Sequence, residues 1–143
     1  MNIVRTVVVF DAADLEGEST FWAGVLNGWV ARDDDWHSVI DAEGLWRIGV
    51  QLAPNHVAPD WPGETVAQQV HLDLHVDDPG EAHAHVMALG ARLLQGVENF
   101  EAEDGFQVYA DPAGHPFCIG WGQPTALGLK QIVARRRGID VAG

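Results

Sequence analysis

The chain has 143 residues, 47% of them apolar, and a formal net charge of -13, so it is long enough for one domain with a substantial core and too short for two. Its acidity repels nucleic-acid phosphates and anionic lipid, which removes both as expected partners. The single cysteine, Cys118, leaves no internal disulfide framework, and no apolar run reaches membrane-spanning length, so a cytoplasmic protein is expected.

Ile3 to Phe10 is a β-branched run that reads as a buried strand. Asp14 is placed to cap a helix with Leu15, Trp22, Val25 and Leu26 facing inward, stopped at Asn27-Gly28. Three short strands are expected next, over Trp29 to Arg32, Trp36 to Asp41 and Trp46 to Leu52. The Asp33-Asp34-Asp35 and Ala42-Glu43-Gly44 turns separate them. Residues 53–66, with Pro54, Pro59 and Pro62, read as a linker.

Val70 to Val76 then alternates strictly, with Val70, Leu72, Leu74 and Val76 on one side of a strand and His71, Asp73 and His75 on the other. Asp78-Pro79-Gly80-Glu81 opens a helix: Asp78 caps it, Pro79 suits its first position and Glu81 can reach back to the cap. Ala82, Val86 and Leu89 make its buried stripe and Gly90 ends it. Ala91 to Leu94, Phe106 to Ala110 and Pro116 to Trp121 read as three more strands, with Glu98 to Gly105 a loose acidic turn.

Each half therefore reads βαβββ, and the halves superpose in register: Val7 lies seven residues before Asp14, as His71 does before Asp78. One domain over residues 1–123 is expected, with module boundaries near 1–64 and 65–123. The remainder, 124–143, is expected to be a helix over Thr125 to Arg137 or partly disordered, and it holds Lys130, Arg135, Arg136 and Arg137 against Asp140. The main body carries nearly all the acid and would draw a cationic ligand.

Among groups able to do chemistry, His71 and Asp73 pair best, since an ionised carboxylate beside an imidazole raises its pKa and orients it. The same two residues equally suit a pair that only satisfies each other. His75 lies nearer the strand end, His83 and His85 fall on different faces of a surface helix, and His37, His56 and His115 are scattered, so none stands out as a ligand. Six tryptophans are a heavy load. Trp22 and Trp121 fit the core, while Trp29, Trp36, Trp46 and Trp61 are placed to line a pocket mouth or a dimer interface. Nucleophile elbow, phosphate-cradling loop and dinucleotide fingerprint are all missing.

The paired βαβββ pattern, the phrase HLDLHVDD and the run Asp111-Pro112-Ala113-Gly114-His115-Pro116-Phe117-Cys118 together resemble the vicinal oxygen chelate superfamily, and its glyoxalase-like subgroup most closely. The resemblance spans residues 3–122. It implies an α+β fold of two modules whose curved sheets enclose a cleft, joined here by the C-terminal helix, and a homodimer. In metal-using members four strand positions supply His, Gln or Glu ligands. Carried over, these are Val7, Gln51, His71 and Cys118, of which Val7 cannot bind metal and Cys118 stands where a carboxylate is usual.

The leading expectation is thus a protein that binds a small organic molecule in its cleft, without metal or other cofactor, in a drug-binding or resistance role. Gln51, His71, Asp73 and Cys118 are its expected ligand-binding residues, with Trp36 and Trp46 as walls and His71 and Asp73 as the catalytic pair if there is chemistry. The alternative is a lyase, isomerase or dioxygenase holding Zn, Ni, Fe or Mn through Gln51, His71 and Cys118.

Overall fold

The computed structural model describes residues 1–96 and 99–122. The expected C-terminal helix or disordered tail, and Glu98 at the start of the expected acidic turn, lie outside them. Ten elements follow in chain order. The first module holds β1 (Val8–Ala12), α1 (Leu15–Val25), β2 (Trp29–Arg32), β3 (Trp36–Ile40) and β4 (Trp46–Leu52). The second holds β5 (Leu72–His75), α2 (Pro79–Leu89), β6 (Arg92–Gln95), β7 (Gly105–Ala110) and β8 (Pro116–Trp121). Each module makes a four-stranded sheet, ordered β1-β4-β3-β2 and β5-β8-β7-β6. In both the opening strand runs parallel to the closing one, so the repeat read in the sequence is also a repeat of topology.

Local chemistry sets the helix ends. Asp14 accepts from the Gly17 amide at 3.0 Å and Asp78 from the Glu81 amide at 2.8 Å, each satisfying an amide that has no partner inside its helix. Gly90 closes α2 in the left-handed region, φ 107°, which costs glycine nothing. The expected reach-back of Glu81 is replaced: the Asp78 amide donates to the Asp77 side chain at 3.0 Å.

Two strand expectations need correction. The first strand starts at Val8, not Ile3, and Ile3 and Val4 are 65% and 91% exposed. Strand propensity needs a partner, and the β4 ladder meets β1 only from Val8 opposite Ile48 onward. The fifth strand is likewise shorter than Val70 to Val76, and Val70 is exposed. Its ladder opens at Leu72 opposite Phe117, and the β8 residue before that is Pro116, which has no amide hydrogen to extend it. Smaller shifts move β3 to end at Ile40 and β6 to cover Arg92–Gln95. Asp41, released from β3, takes the Glu43 and Leu45 amides on its own carboxylate.

The modules share one core. Phe10, Phe21, Trp22, Val39, Ile48 and Val50 from the first meet Val86, Tyr109, Phe117 and Ile119 from the second. Trp22, fully buried, stacks on Phe10 at 5.3 Å and meets Phe117 edge-on at 5.3 Å. The helices touch where Leu89 lies over Gly24, and His85 Nε2 donates to the Gly24 carbonyl at 3.0 Å.

A polar bolt crosses this core. Trp22 Nε1 donates both to Glu18 Oε1 at 2.9 Å and to Asp111 Oδ2 at 3.1 Å. The Ala113 amide donates to Glu18 Oε2 and the His115 amide to Asp111 Oδ1. Burial first, then the neighbouring Asp111, pushes the Glu18 carboxyl up to about 9. Burial also raises Asp111. Two carboxyls in this setting hold one proton between them.

Candidate functional site

On β5 the alternation read from the sequence holds in space. Leu72 and Leu74 pack against the core, while His71 and Asp73 are exposed on the opposite face. The parallel ladder sets Asp73 opposite Cys118 of β8, so these two side chains rise from adjacent strands on one face. His71, just ahead of the strand, places Nε2 3.4 Å from Asp73 Oδ1. One donor atom each from His71, Asp73 and Cys118 lies within 4.8 Å of the others, and no other such group of His, Cys, Asp or Glu occurs among the described residues.

Electrostatics sets the state of the thiol. The Cys118 thiol is half-buried and pushed up to about 11, by desolvation first and then by the charge and hydrogen bonding of Asp73. It is therefore an uncharged S–H at neutral pH. A carboxylate thus stands beside an imidazole and a neutral thiol, and such a trio can accept a ligand's donor, donate to its oxygen or pass a proton. For a cation the donor types are N, O and S, a set that suits zinc better than a hard, oxygen-seeking ion.

The first module presents a different face. Counting back five residues from the caps Asp14 and Asp78 makes Val9 the counterpart of Asp73. Val9 faces Gly49 on β4, and Gln51 faces Asp11. Gln51 therefore lies one pleat beyond the place that Cys118 holds in the second module. Trp36 is paired with Gln51 across β3 and β4, and its ring lies over Gly49, where an added Cβ would sit 2.4 Å from it. Trp36 meets Trp46 edge-on at 6.3 Å, and the Arg5 guanidinium sits 5.5 Å from the Trp46 ring. Val7, without a polar atom on its side chain, has no ligating role.

Gln51 also lines a cavity of about 620 Å³ between β1 and the linker, together with Asp11, His56 and His115. The two histidines come from segments that sequence reasoning set aside as unrelated turns. Their rings pack 4.7 Å apart, and His115 stacks on Phe10 at 4.8 Å. Two further histidines bond within the fold: His37 Nδ1 meets the Ser19 hydroxyl at 2.7 Å, and His83 Nδ1 meets the Tyr109 hydroxyl at 2.9 Å. No helix among the described residues is long and apolar enough to cross a membrane.

Comparison with known proteins agrees with this architecture. The family model of the Glyoxalase-like domain matches residues 7–120. A glyoxalase/bleomycin resistance protein/dioxygenase family enzyme from Burkholderia phytofirmans PsJN superposes with a TM-score of 0.61 at 19% identity, over 82% of this chain and 97% of that one. The fosfomycin resistance protein FosX from Listeria monocytogenes gives 0.64 at 16% identity, over 92% and 99%. FosX from Mesorhizobium loti gives 0.63 at 15%, over 94% and 100%. At such identities the likeness is one of fold. No curated protein sequence matches the chain.

Proposed function

Because the chain belongs to the glyoxalase-like domain family, within the vicinal oxygen chelate superfamily, we propose that it binds a small organic molecule on the outward faces of its two sheets without a metal, in a drug-binding or resistance role. The observation that carries this is the meeting of His71, Asp73 and Cys118 on the exposed face of β5 and β8. A neutral thiol, a carboxylate and an imidazole offer a ligand both hydrogen-bond donors and acceptors. Gln51 and the indoles of Trp36 and Trp46 add amide and aromatic surface from the first module, where flat organic groups stack favourably. Two of the fold's relatives are fosfomycin resistance proteins, which makes drug molecules a sensible first panel. In a homodimer, the exposed apolar residues of these faces, Val9 and Phe106 among them, would be covered by the second copy.

Calorimetric titration with fosfomycin and bleomycin, with a chelator present, tests the reading. Binding of one of them, weakened about tenfold or more by His71→Ala and by Asp73→Asn, is the expected result. Failure of both to bind, or binding indifferent to the two substitutions, overturns it.

The same three donors support a second reading, a metal-dependent lyase, isomerase or dioxygenase. His71, Asp73 and Cys118 fit zinc by donor type, with Gln51 the remaining expected ligand. A bound divalent ion supplies a Lewis acid that polarises adjacent substrate oxygens. In this reading His71, Asp73 and Cys118 would hold the ion, and the Cys118 thiol would give up its proton to do so. Stoichiometric metal in the purified protein, lost in His71→Ala, would favour it over the first.

A further inference from the structure

Between the two modules, on the helix side of both sheets, lies an open hollow of about 520 Å³. Val8 and Ile48 line it from the first sheet, Leu72 and Leu74 from the second, and Val25 and Leu26 from the end of α1. Successive strand residues point to opposite faces, so Leu72 and Leu74 turn away from Asp73, and Val8 and Ile48 turn away from Val9 and Gly49. All four belong to the core or pack against it. None of His71, Asp73, Cys118, Gln51, Trp36 and Trp46 borders the hollow, which is therefore distinct from the outward faces described above.

The rim carries charge, but little of it is free. Pairing of β3 with β4 slips between Val39 and Ile40, so that Val39 faces Ile48 and Ile40 faces Trp46. Arg47 is the extra residue of this bulge, and a bulge re-aims the side chains around it. Arg47 lies at the rim with Asp41 and Glu43. Its Nε donates to Asp41 Oδ2 at 2.6 Å and its Nη2 lies 3.6 Å from Glu43 Oε2. The other Asp41 oxygen takes the Glu43 and Leu45 amides. Two carboxylates thus meet one guanidinium. The rim repels an anion, and a cation must compete with Arg47 for both acids.

What the hollow offers a guest is hydrocarbon. Val8, Val25, Leu26, Leu72 and Leu74 are only partly buried, and taking such surface out of water is favourable whatever the guest's orientation. The volume of about 520 Å³ falls within the range of small-ligand pockets, roughly 300 to 1,000 Å³. We propose that this hollow is a second binding site, selective for an uncharged, apolar small molecule that seats between the modules against both sheets. It shares no residue with the face around His71 and stands or falls apart from it.

The test titrates three single-ring probes, toluene, benzoate and benzylamine, into the full chain. It follows the ¹³C methyl signals of Val8, Val25, Leu26, Leu72 and Leu74 beside the ¹⁵N signal of the His71 ring. Toluene is expected to shift the methyls saturably and to bind at least tenfold more tightly than either charged probe. It is also expected to raise the thermal transition as its concentration rises, and to leave His71 where it was. Val25→Phe and Leu26→Phe put a ring into the hollow from half-buried positions, and each is expected to weaken toluene at least tenfold, whereas His71→Ala leaves its affinity unchanged. Methyl signals that stay still, as when a second copy or another part of the chain already fills the hollow, would overturn the proposal. Shifts that never saturate, equal binding of the three probes, or an affinity indifferent to both phenylalanine substitutions would overturn it too. If a substitution lowers the thermal transition of the free protein, the methyl shifts of the unsubstituted chain decide.

Discussion

Cys118 illustrates how a residue's neighbours decide its chemistry. A lone cysteine near a strand end reads in sequence as a small apolar filler, yet the ladder sets it beside Asp73, whose charge adds to burial in holding the thiol protonated. Alkylation of Cys118 by iodoacetamide at mildly alkaline pH should therefore be slow. Asp73→Asn removes the negative neighbour, lowers the thiol pKa and should speed the reaction severalfold, as mass spectrometry of the modified peptide would record. An unchanged rate in Asp73→Asn would mean that burial alone sets the thiol's state. His71 and Asp73 were legible from the alternation of HLDLH, because period two fixes faces without any knowledge of partners. Periodicity alone could not bring Cys118 to them, since that depends on which strand lies beside β5; the family resemblance had set it in the same site. His56 and His115, 59 residues apart in sequence, left no local signal of their stacking at all.

At the level of elements, the second module's helix was legible to the residue. Asp78, Pro79 and Gly90 each carry a position-specific backbone preference, and the helix runs Pro79–Leu89. The capping argument predicts that Asp78→Ala lowers stability by about 1 kcal/mol in urea unfolding, whereas Glu81→Ala, whose side chain takes no part in the observed cap, changes it far less. Strand ends were less legible. Ile3 to Val7 has every intrinsic mark of a strand, but a strand ends where its neighbour's hydrogen bonds end, and β4 offers none before Ile48. Trp46 to Leu52 and Pro116 to Trp121, each between two partners in its sheet, came through intact, as did the edge strand Trp29 to Arg32.

For the whole molecule, the two modules are joined less by strand pairing than by α1, whose Trp22 meets Phe117 of the second sheet and whose Glu18 shares a proton with Asp111. Glu18 lies four residues before Trp22, on the same helical face, a spacing that already points a carboxylate inward. Its carboxyl binds a proton more tightly folded than unfolded, so its contribution to stability is fully present below its ordinary value of 4.5 and is lost as pH rises towards about 9. The slope from this one proton approaches about 1.4 kcal/mol per pH unit. Glu18→Gln removes the titration while keeping one of the two N–H bonds that the carboxyl oxygens accept, from Trp22 Nε1 and the Ala113 amide, and urea midpoints across that window should lose this part of their decline. A decline as steep as that of the unsubstituted chain would contradict the shared proton. The central claim is that the face bearing His71, Asp73 and Cys118 receives an organic molecule unaided by metal. Its most direct measurement is the ¹⁵N spectrum of the His71 ring in chelator-treated protein as fosfomycin or bleomycin is added. The account predicts a saturable shift of His71 in the chelator, and a His71 ring that moves only after zinc is restored would contradict it.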